Sequence, residues 1–175
     1  GASVKVFDNN TNKLRRLQSM LGQRVATSVL EPKVLEKALE SADVVIGAIS
    51  STVGRAPIVV SEEMVSKMKD FSVIVDVSID RGGCFDTSEI TNHKNPTFVK
   101  HGVIHYCVPN IPSKYSRTAS LSISNIFSPY LFSIAEEGGF ENAASFDKSL
   151  QKGMYFYHGI LTNRTVADWF NLPFR

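Results

Sequence analysis

Apolar positions follow two rhythms along the first two thirds of the chain. Short β-branched runs such as Val44-Val45-Ile46 and Val73-Ile74-Val75 alternate with segments whose apolar residues recur at helical spacing, among them Leu14, Leu17 and Leu21, and Val34, Leu35, Ala38 and Leu39. The pattern predicts strands over 4–7, 24–29, 43–49, 73–79 and 103–108. It predicts helices over 10–21, 32–42 and 61–68, the second with Pro32 in its first turn and the third opening on Ser61-Glu62-Glu63. Alternating strand and helix argue for an α/β fold with a mostly parallel sheet and helices on both faces. From Ser116 the texture changes. A long helix over 119–137, kinked at Pro129, precedes a helix over 143–152, an aromatic strand-like run over 155–161 and a short helix over 165–172. Two domains follow, 1–115 and 116–175.

Two of the strands run straight into polar turns. The run ending at Ile79 continues as Asp80-Arg81-Gly82-Gly83-Cys84, and the run ending at Val108 continues as Pro109-Asn110-Ile111-Pro112. Ligands of open α/β sheets bind at the carboxyl ends of strands, so Asp80 and Asn110 are expected to share a pocket. A partly buried Asp80 carboxylate is suited to proton transfer. Taken alone, it is at least as well explained by capping of its own turn. Asn110 offers a donor and an acceptor, and it too is equally readable as a turn residue. Asp76 reads as a hydrogen-bond acceptor for a neighbouring loop, and Cys84 as a small buried turn residue.

Asp8 ends the first strand, which is where a dinucleotide fold places its ribose-binding acid. The glycine-rich turn that should stand about 20 residues earlier is missing, and no G-x-G-x-x-G occurs elsewhere. Lys13 alone reads as a solvated helix lysine.

Composition narrows the classes further. The chain is 43% hydrophobic and 21% charged, ordinary for a protein with a core. Nineteen basic against 17 acidic side chains leave +2, and without a basic run nothing points to nucleic acid. No apolar stretch reaches membrane-span length, and no leader pattern opens the chain. Cys84 and Cys107 lack zinc or disulfide spacing, which fits reduced thiols in a cytoplasmic protein. His93, His101, His105 and His158 do not form a ligand pattern, so no metal is expected; His101 and His105 are both read as strand residues.

The blocks Val75-Asp-Val-Ser-Ile-Asp-Arg-Gly-Gly-Cys-Phe-Asp-Thr-Ser88, His101-Gly-Val-Ile-His-Tyr-Cys-Val-Pro-Asn-Ile-Pro112 and Arg117-Thr118 resemble the alanine dehydrogenase family, relatives of the alpha subunit of nicotinamide nucleotide transhydrogenase. The resemblance extends over nearly the whole chain. It implies a Rossmann-like doubly wound parallel sheet lacking its first strand and glycine-rich turn, followed by a mainly helical part of the substrate domain. On that reading the chain is a carboxyl-terminal fragment, inactive alone. Its strands at 4–7 and 44–49 have lost their common neighbour, and it is expected to self-associate.

The implied activity is reversible oxidative deamination of L-alanine to pyruvate and ammonia with NAD, in a homo-oligomer that is typically a hexamer. The implied catalytic acid is Asp80, which also lies near the nicotinamide. The implied cofactor contacts are Asp8 and Lys13 at the adenosine end, Ala48, Ile49 and Ser50 along the wall, Val77 and Val108 as apolar walls, and Asn110 with Ile111 near the nicotinamide ribose or amide. Two departures stand beside the site: the loop Ser50-Ser-Thr-Val-Gly-Arg-Ala-Pro57, and Arg81 in place of a neutral polar residue. Two other readings stay open, a transhydrogenase alpha subunit and a non-catalytic nucleotide-binding or oligomerisation module. Members of the transhydrogenase side tend to lack an acid at the place of Asp80.

Overall fold

The structure, a computed structural model, describes residues 1–22, 24–50 and 54–174. Strand β1 (Lys5–Phe7) leads to helix α1 (Thr11–Leu21), then β2 (Ala26–Ser28), α2 (Pro32–Ser41), β3 (Val44–Gly47), α3 (Glu62–Ser66) and β4 (Val73–Asp76). Each of these helices starts on a side-chain cap that satisfies an otherwise orphan N–H. Asn10 accepts from the N–H groups of Asn12 and Lys13, Glu31 from Val34 and Ser61 from Met64. A 3-10 helix, Val77–Arg81, follows β4. The hairpin β5 (Thr97–Lys100) and β6 (Val103–Tyr106) comes next, and a second 3-10 helix, Ile111–Tyr115, precedes α4 (Ser116–Glu136). The tail holds α5 (Phe140–Phe146), α6 (Lys148–Gly153), β7 (Phe156–Tyr157), β8 (Ile160–Leu161) and α7 (Arg164–Phe170).

The chain divides into two compact units. One comprises Gly1–Ser50 and Arg55–Pro109; the other holds Gly54 and the chain from Asn110 onward. In the first unit, β1 pairs with β2 in parallel, and a separate sheet runs in the order β3-β4-β6-β5. β3, β4 and β6 are mutually parallel, whereas β5 is antiparallel at the edge. Gly47 lies opposite Asp76, and Val75 opposite Tyr106, so the three parallel strands end together at one edge. Among the described residues β1 and β3 do not pair with each other.

One face of this sheet is sealed by α2 and α3. Leu35 and Leu39, Val65 and Met68 meet Ile74 and Val103, and Val60, Cys84 and Phe85 close the cluster. Each such side chain contributes roughly 1.5–3 kcal/mol by leaving water. In the second unit Gly138 takes a left-handed φ of 77° and Gly139 N–H reaches the Ile134 carbonyl at 2.9 Å. This pair ends α4.

Three departures from the sequence pattern stand out. β4 stops at Asp76 instead of Ile79, because the Asp76 side chain accepts the Ser78 N–H and curls the chain into the 3-10 helix. β5 has no counterpart in the prediction. It exists because His101 and Gly102, both at positive φ (53° and 75°), form a tight two-residue turn that folds it back on β6. His101 is therefore a turn residue and not part of a strand, whereas His105 lies in β6. The helix predicted over 143–152 is two helices, parted at Asp147, whose backbone is extended and whose carboxylate caps Ser149 N–H.

Candidate functional site

The edge where β3, β4 and β6 end is the candidate site, and Asp76 organises it. This last residue of β4 is completely buried. Its Oδ1 accepts the Ser78 N–H at 2.9 Å, and its Oδ2 accepts the Cys84 N–H at 2.9 Å and the Ser88 hydroxyl at 2.6 Å. The Cys84 thiol donates to Oδ1 at 3.6 Å. The carboxylate thus holds both ends of the segment between Val77 and Gly83. Gly82 N–H to the Ile79 carbonyl and Gly83 N–H to the Ser78 carbonyl close that segment internally.

Neighbouring strand ends hold the same segment. Ser78 Oγ donates to the Ile49 carbonyl at 3.0 Å, tying the turn to the exit of β3. The 56–60 segment runs alongside. Ala56 N–H meets the Arg81 carbonyl, Val59 N–H meets the Cys84 carbonyl, and Asp86 N–H meets the Val60 carbonyl. Gly47 permits close approach, since a Cβ there would run into Phe85 and Cys84 Sγ.

With Ser78 and Ile79 turned inward, the other face of the 3-10 helix is open. Residues three apart eclipse in such a helix, so Val77 and Asp80 share that face. Both are exposed, Val77 at 44%. The partial burial expected of Asp80 is therefore absent in this chain. The fully buried carboxylate here is Asp76.

At the end of β1, Asp8 is half-buried, and its Oδ1 accepts the Asn10 N–H at 2.7 Å. Lys13 Nζ lies 3.9 Å from Asp8 Oδ2, because the Asn10 cap starts α1 so that its first turn faces the acid. Ala48 and Ser50 are exposed at the exit of β3, with Ile49 half-buried between them. Val108 is 1% exposed, so of the two valines expected as walls only Val77 presents its side chain. Asn110 and Ile111 belong to the second unit. Asn110 is exposed in a left-handed conformation (φ 51°, ψ 50°) before the Ile111–Tyr115 helix, and Ile111 is half-buried. Residues 51–53 of the divergent 50–57 loop lie outside the described residues.

Sequence reasoning missed Ser78 and Ser88 as parts of this site. The signal for Ser78 was present: Asp-x-Ser at a strand end is the spacing at which an aspartate caps the N–H two residues on.

Electrostatics separate the reactive-looking groups from the structural ones. Burial, and then the adjacent Asp76 charge, push the Cys84 thiol up to about 11, so it stays protonated and is not a nucleophile at neutral pH. Burial likewise raises the Cys107 thiol. His105 is fully buried, and burial lowers its pKa. Its Nδ1 donates to the Val103 carbonyl at 3.0 Å, which leaves Nε2 to accept from the Thr87 hydroxyl at 2.8 Å. Among the described residues no cluster of His, Cys, Asp and Glu is arranged to hold a metal, and no helix is long and apolar enough to cross a membrane.

Comparison with known proteins gives a consistent result. Residues 1–164 match the family described as alanine dehydrogenase/PNT, C-terminal domain. The chain is 39% identical over 175 residues to an alanine dehydrogenase of Staphylococcus epidermidis, covering 99% of this chain and 47% of that protein. It is 38% identical over 176 aligned positions to alanine dehydrogenase 2 of Staphylococcus aureus, covering 100% of this chain and 47% of that one. A solved L-alanine dehydrogenase superposes with a TM-score of 0.88 at 37% identity, over 98% of this chain and 47% of the other. A transhydrogenase from Sinorhizobium meliloti shares the fold, with a TM-score of 0.65 at 24% identity over 75% of this chain and 37% of the other. The chain spans about half the length of the curated relatives it matches. With nearly all of its residues covered by the family match and its fold shared with a solved member, the chain belongs to the alanine dehydrogenase/PNT C-terminal domain family.

Proposed function

We propose that the protein containing this chain is an NAD-dependent alanine dehydrogenase, interconverting L-alanine with pyruvate and ammonia. The observation that carries this reading is the open face of the Val77–Arg81 helix. It sets an apolar side chain, Val77, and an acid, Asp80, together at the carboxyl edge of parallel strands. The edge of an α/β sheet is where such folds bind nucleotides.

The residues present fit NAD. Among the described residues Asp8 Oδ1 accepts the Asn10 N–H and Oδ2 has Lys13 at 3.9 Å, which leaves acceptor capacity for the two hydroxyls of an adenosine ribose. A carboxylate there also repels a 2′-phosphate, favouring NAD over NADP. Ala48, Ile49 and Ser50 offer small or half-buried surface beside the next strand end, and Val77 offers an apolar one. Asn110 and Ile111 are proposed as further cofactor contacts on the strength of the family resemblance; Asn110 supplies both a donor and an acceptor. When bound, NAD supplies the hydride acceptor for the alanine Cα. Asp80 is assigned to hold or exchange a proton at the attacking water or at the substrate nitrogen.

We place this protein in the cytoplasm as a homo-oligomer, hexameric as is typical of the family. Two free buried cysteines and the exposed Ile126 and Leu131 on α4 support those assignments. The runner-up is hydride transfer between two nucleotides. Asp80 favours the amino-acid reaction, because a nucleotide-to-nucleotide transfer has no substrate nitrogen or water proton to handle. The test is the full-length gene product supplied with NAD and L-alanine. NADH formation that depends on L-alanine supports the reading. Reduction of one nucleotide by another, without response to L-alanine, supports the runner-up.

A further inference from the structure

We propose that Asp76 is a positioning residue for Asp80: its buried carboxylate is the clasp that fixes the turn presenting the catalytic acid. The inference rests on the assignment of Asp80 to proton handling, and it concerns a residue that never meets the substrate.

The geometry is that of a closed loop whose two ends are fastened to one carboxylate. Asp76 stands before the turn, Ser78 near its start, Cys84 just past its end, and Ser88 four residues further. Ser78, Cys84 and Ser88 all donate to the two Asp76 oxygens, Ser78 and Cys84 through backbone N–H groups, Ser88 through its hydroxyl and Cys84 also through its thiol. Asp80 sits between the two backbone donors. Neither side of the loop has slack. Ser78 Oγ fixes the inner side to Ile49, the 56–60 segment fixes the outer side, and a Cβ on Gly83 would stand 2.7 Å from Asp76 Oδ2. Cys107 Sγ reaches Ser88 Oγ at 3.7 Å, so the clasp also touches the exit of β6.

A carboxylate is required chemically and not just by volume. Backbone N–H groups can only donate, and here one faces each carboxylate oxygen. An asparagine has the same shape but one acceptor and one donor. Whichever way its amide is turned, its NH2 meets either the Ser78 N–H or the Cys84 N–H, and the clasp opens on that side. Asp80 then loses its fixed place. A misplacement of about 1 Å costs on the order of 10²-fold in rate.

The experiment uses the full-length gene product and three variants, Asp76→Asn, Ser88→Ala and Asp80→Asn, each assayed well below its melting temperature. Amide hydrogen exchange, kcat and KM for both substrates, and the pH profile of kcat are recorded. Asp76→Asn is expected to speed exchange across 77–84 while the β4 and β6 strands stay protected. It should also lower kcat on the order of 10²-fold, with KM for NAD changed far less, and displace the pH profile. Ser88→Ala, which leaves the carboxylate in place, should shift the same readouts in the same direction by a smaller factor. It carries the test if Asp76→Asn does not fold.

Folded Asp76→Asn and Ser88→Ala proteins with the parental kcat and pH profile, beside an Asp80→Asn protein that has lost turnover, overturn this inference and leave the functional reading standing. An Asp80→Asn protein with full turnover overturns both.

Discussion

A Cβ added to Gly83 would stand 2.7 Å from Asp76 Oδ2 and 3.0 Å from the Ser88 Cβ, at a backbone φ of +80°. The glycine is thus fixed by two independent constraints, a left-handed backbone and a carboxylate pressed against its Cα. Gly22 meets only the first: its φ is +62°, and among the described residues nothing lies within 4 Å of its Cβ position. Gly22→Ala should cost about 1–2 kcal/mol, the price of a left-handed alanine. Gly83→Ala should cost clearly more, because the Asp76–Ser88 contact has to yield as well. Denaturant midpoints of the two variants check this; equal losses would mean that the clasp has room to spare.

Asp8 and Lys13 form a pair at 3.9 Å with the lysine side chain 70% exposed. Such a pair contributes about 0–1 kcal/mol to stability. Asp8→Ala should therefore leave the melting temperature almost unchanged while weakening NAD and narrowing the preference for NAD over NADP. Steady-state kinetics with both nucleotides decide the matter. Unchanged selectivity would place the ribose elsewhere.

His105 makes stability depend on pH. Burial lowers its folded pKa from the ordinary 6.5, the nearby Lys100 charge adds to the lowering, and the Val103 carbonyl opposes it. The unfolded chain then binds the proton more readily than the folded one, so stability falls as pH falls. The contribution is complete above about 6.5 and is lost below it, toward the depressed folded value. Glu62, held below its usual 4.5 by His101 and Lys100, enters only at lower pH. Urea unfolding between neutral pH and the carboxylate range should show the slope in the parent, and His105→Gln should flatten it. An unchanged slope would clear His105 of the effect.

The sequence pattern was sufficient where a segment's own residues decide its conformation. Leu14 and Leu17 at helical spacing, the Ser61 cap, and the β-branched run before Asp76 all led to the elements observed. It failed where one side chain redirects the backbone. Asp76 stops β4 three residues early, and Asp147 splits a helix in two, each through an Asp-x-Ser contact that periodicity does not register. The β5 hairpin was missed because four residues after Pro96 carry too weak an alternation, and because the His101-Gly102 turn lacks the usual Asn-Gly signature. At the site, Asp8 with Lys13 and the place of Asp80 at a strand-end turn were readable. The exposure of Asp80 and the Ser78–Ile49 tie depend on which face of a one-turn helix points inward, and a run of five residues carries no period from which to tell.

The central claim is that Asp80, on the open face it shares with Val77, is the group that handles protons in an NAD-dependent reaction of L-alanine. The most direct measurement is turnover of the full-length gene product with Asp80→Asn, an isostere that cannot accept a proton. The account predicts that kcat falls on the order of 10²-fold or more while NAD affinity, read by titration, stays within a few-fold of the parent. Near-parental kcat in a folded Asp80→Asn protein would contradict it and leave Asp80 a residue of the turn.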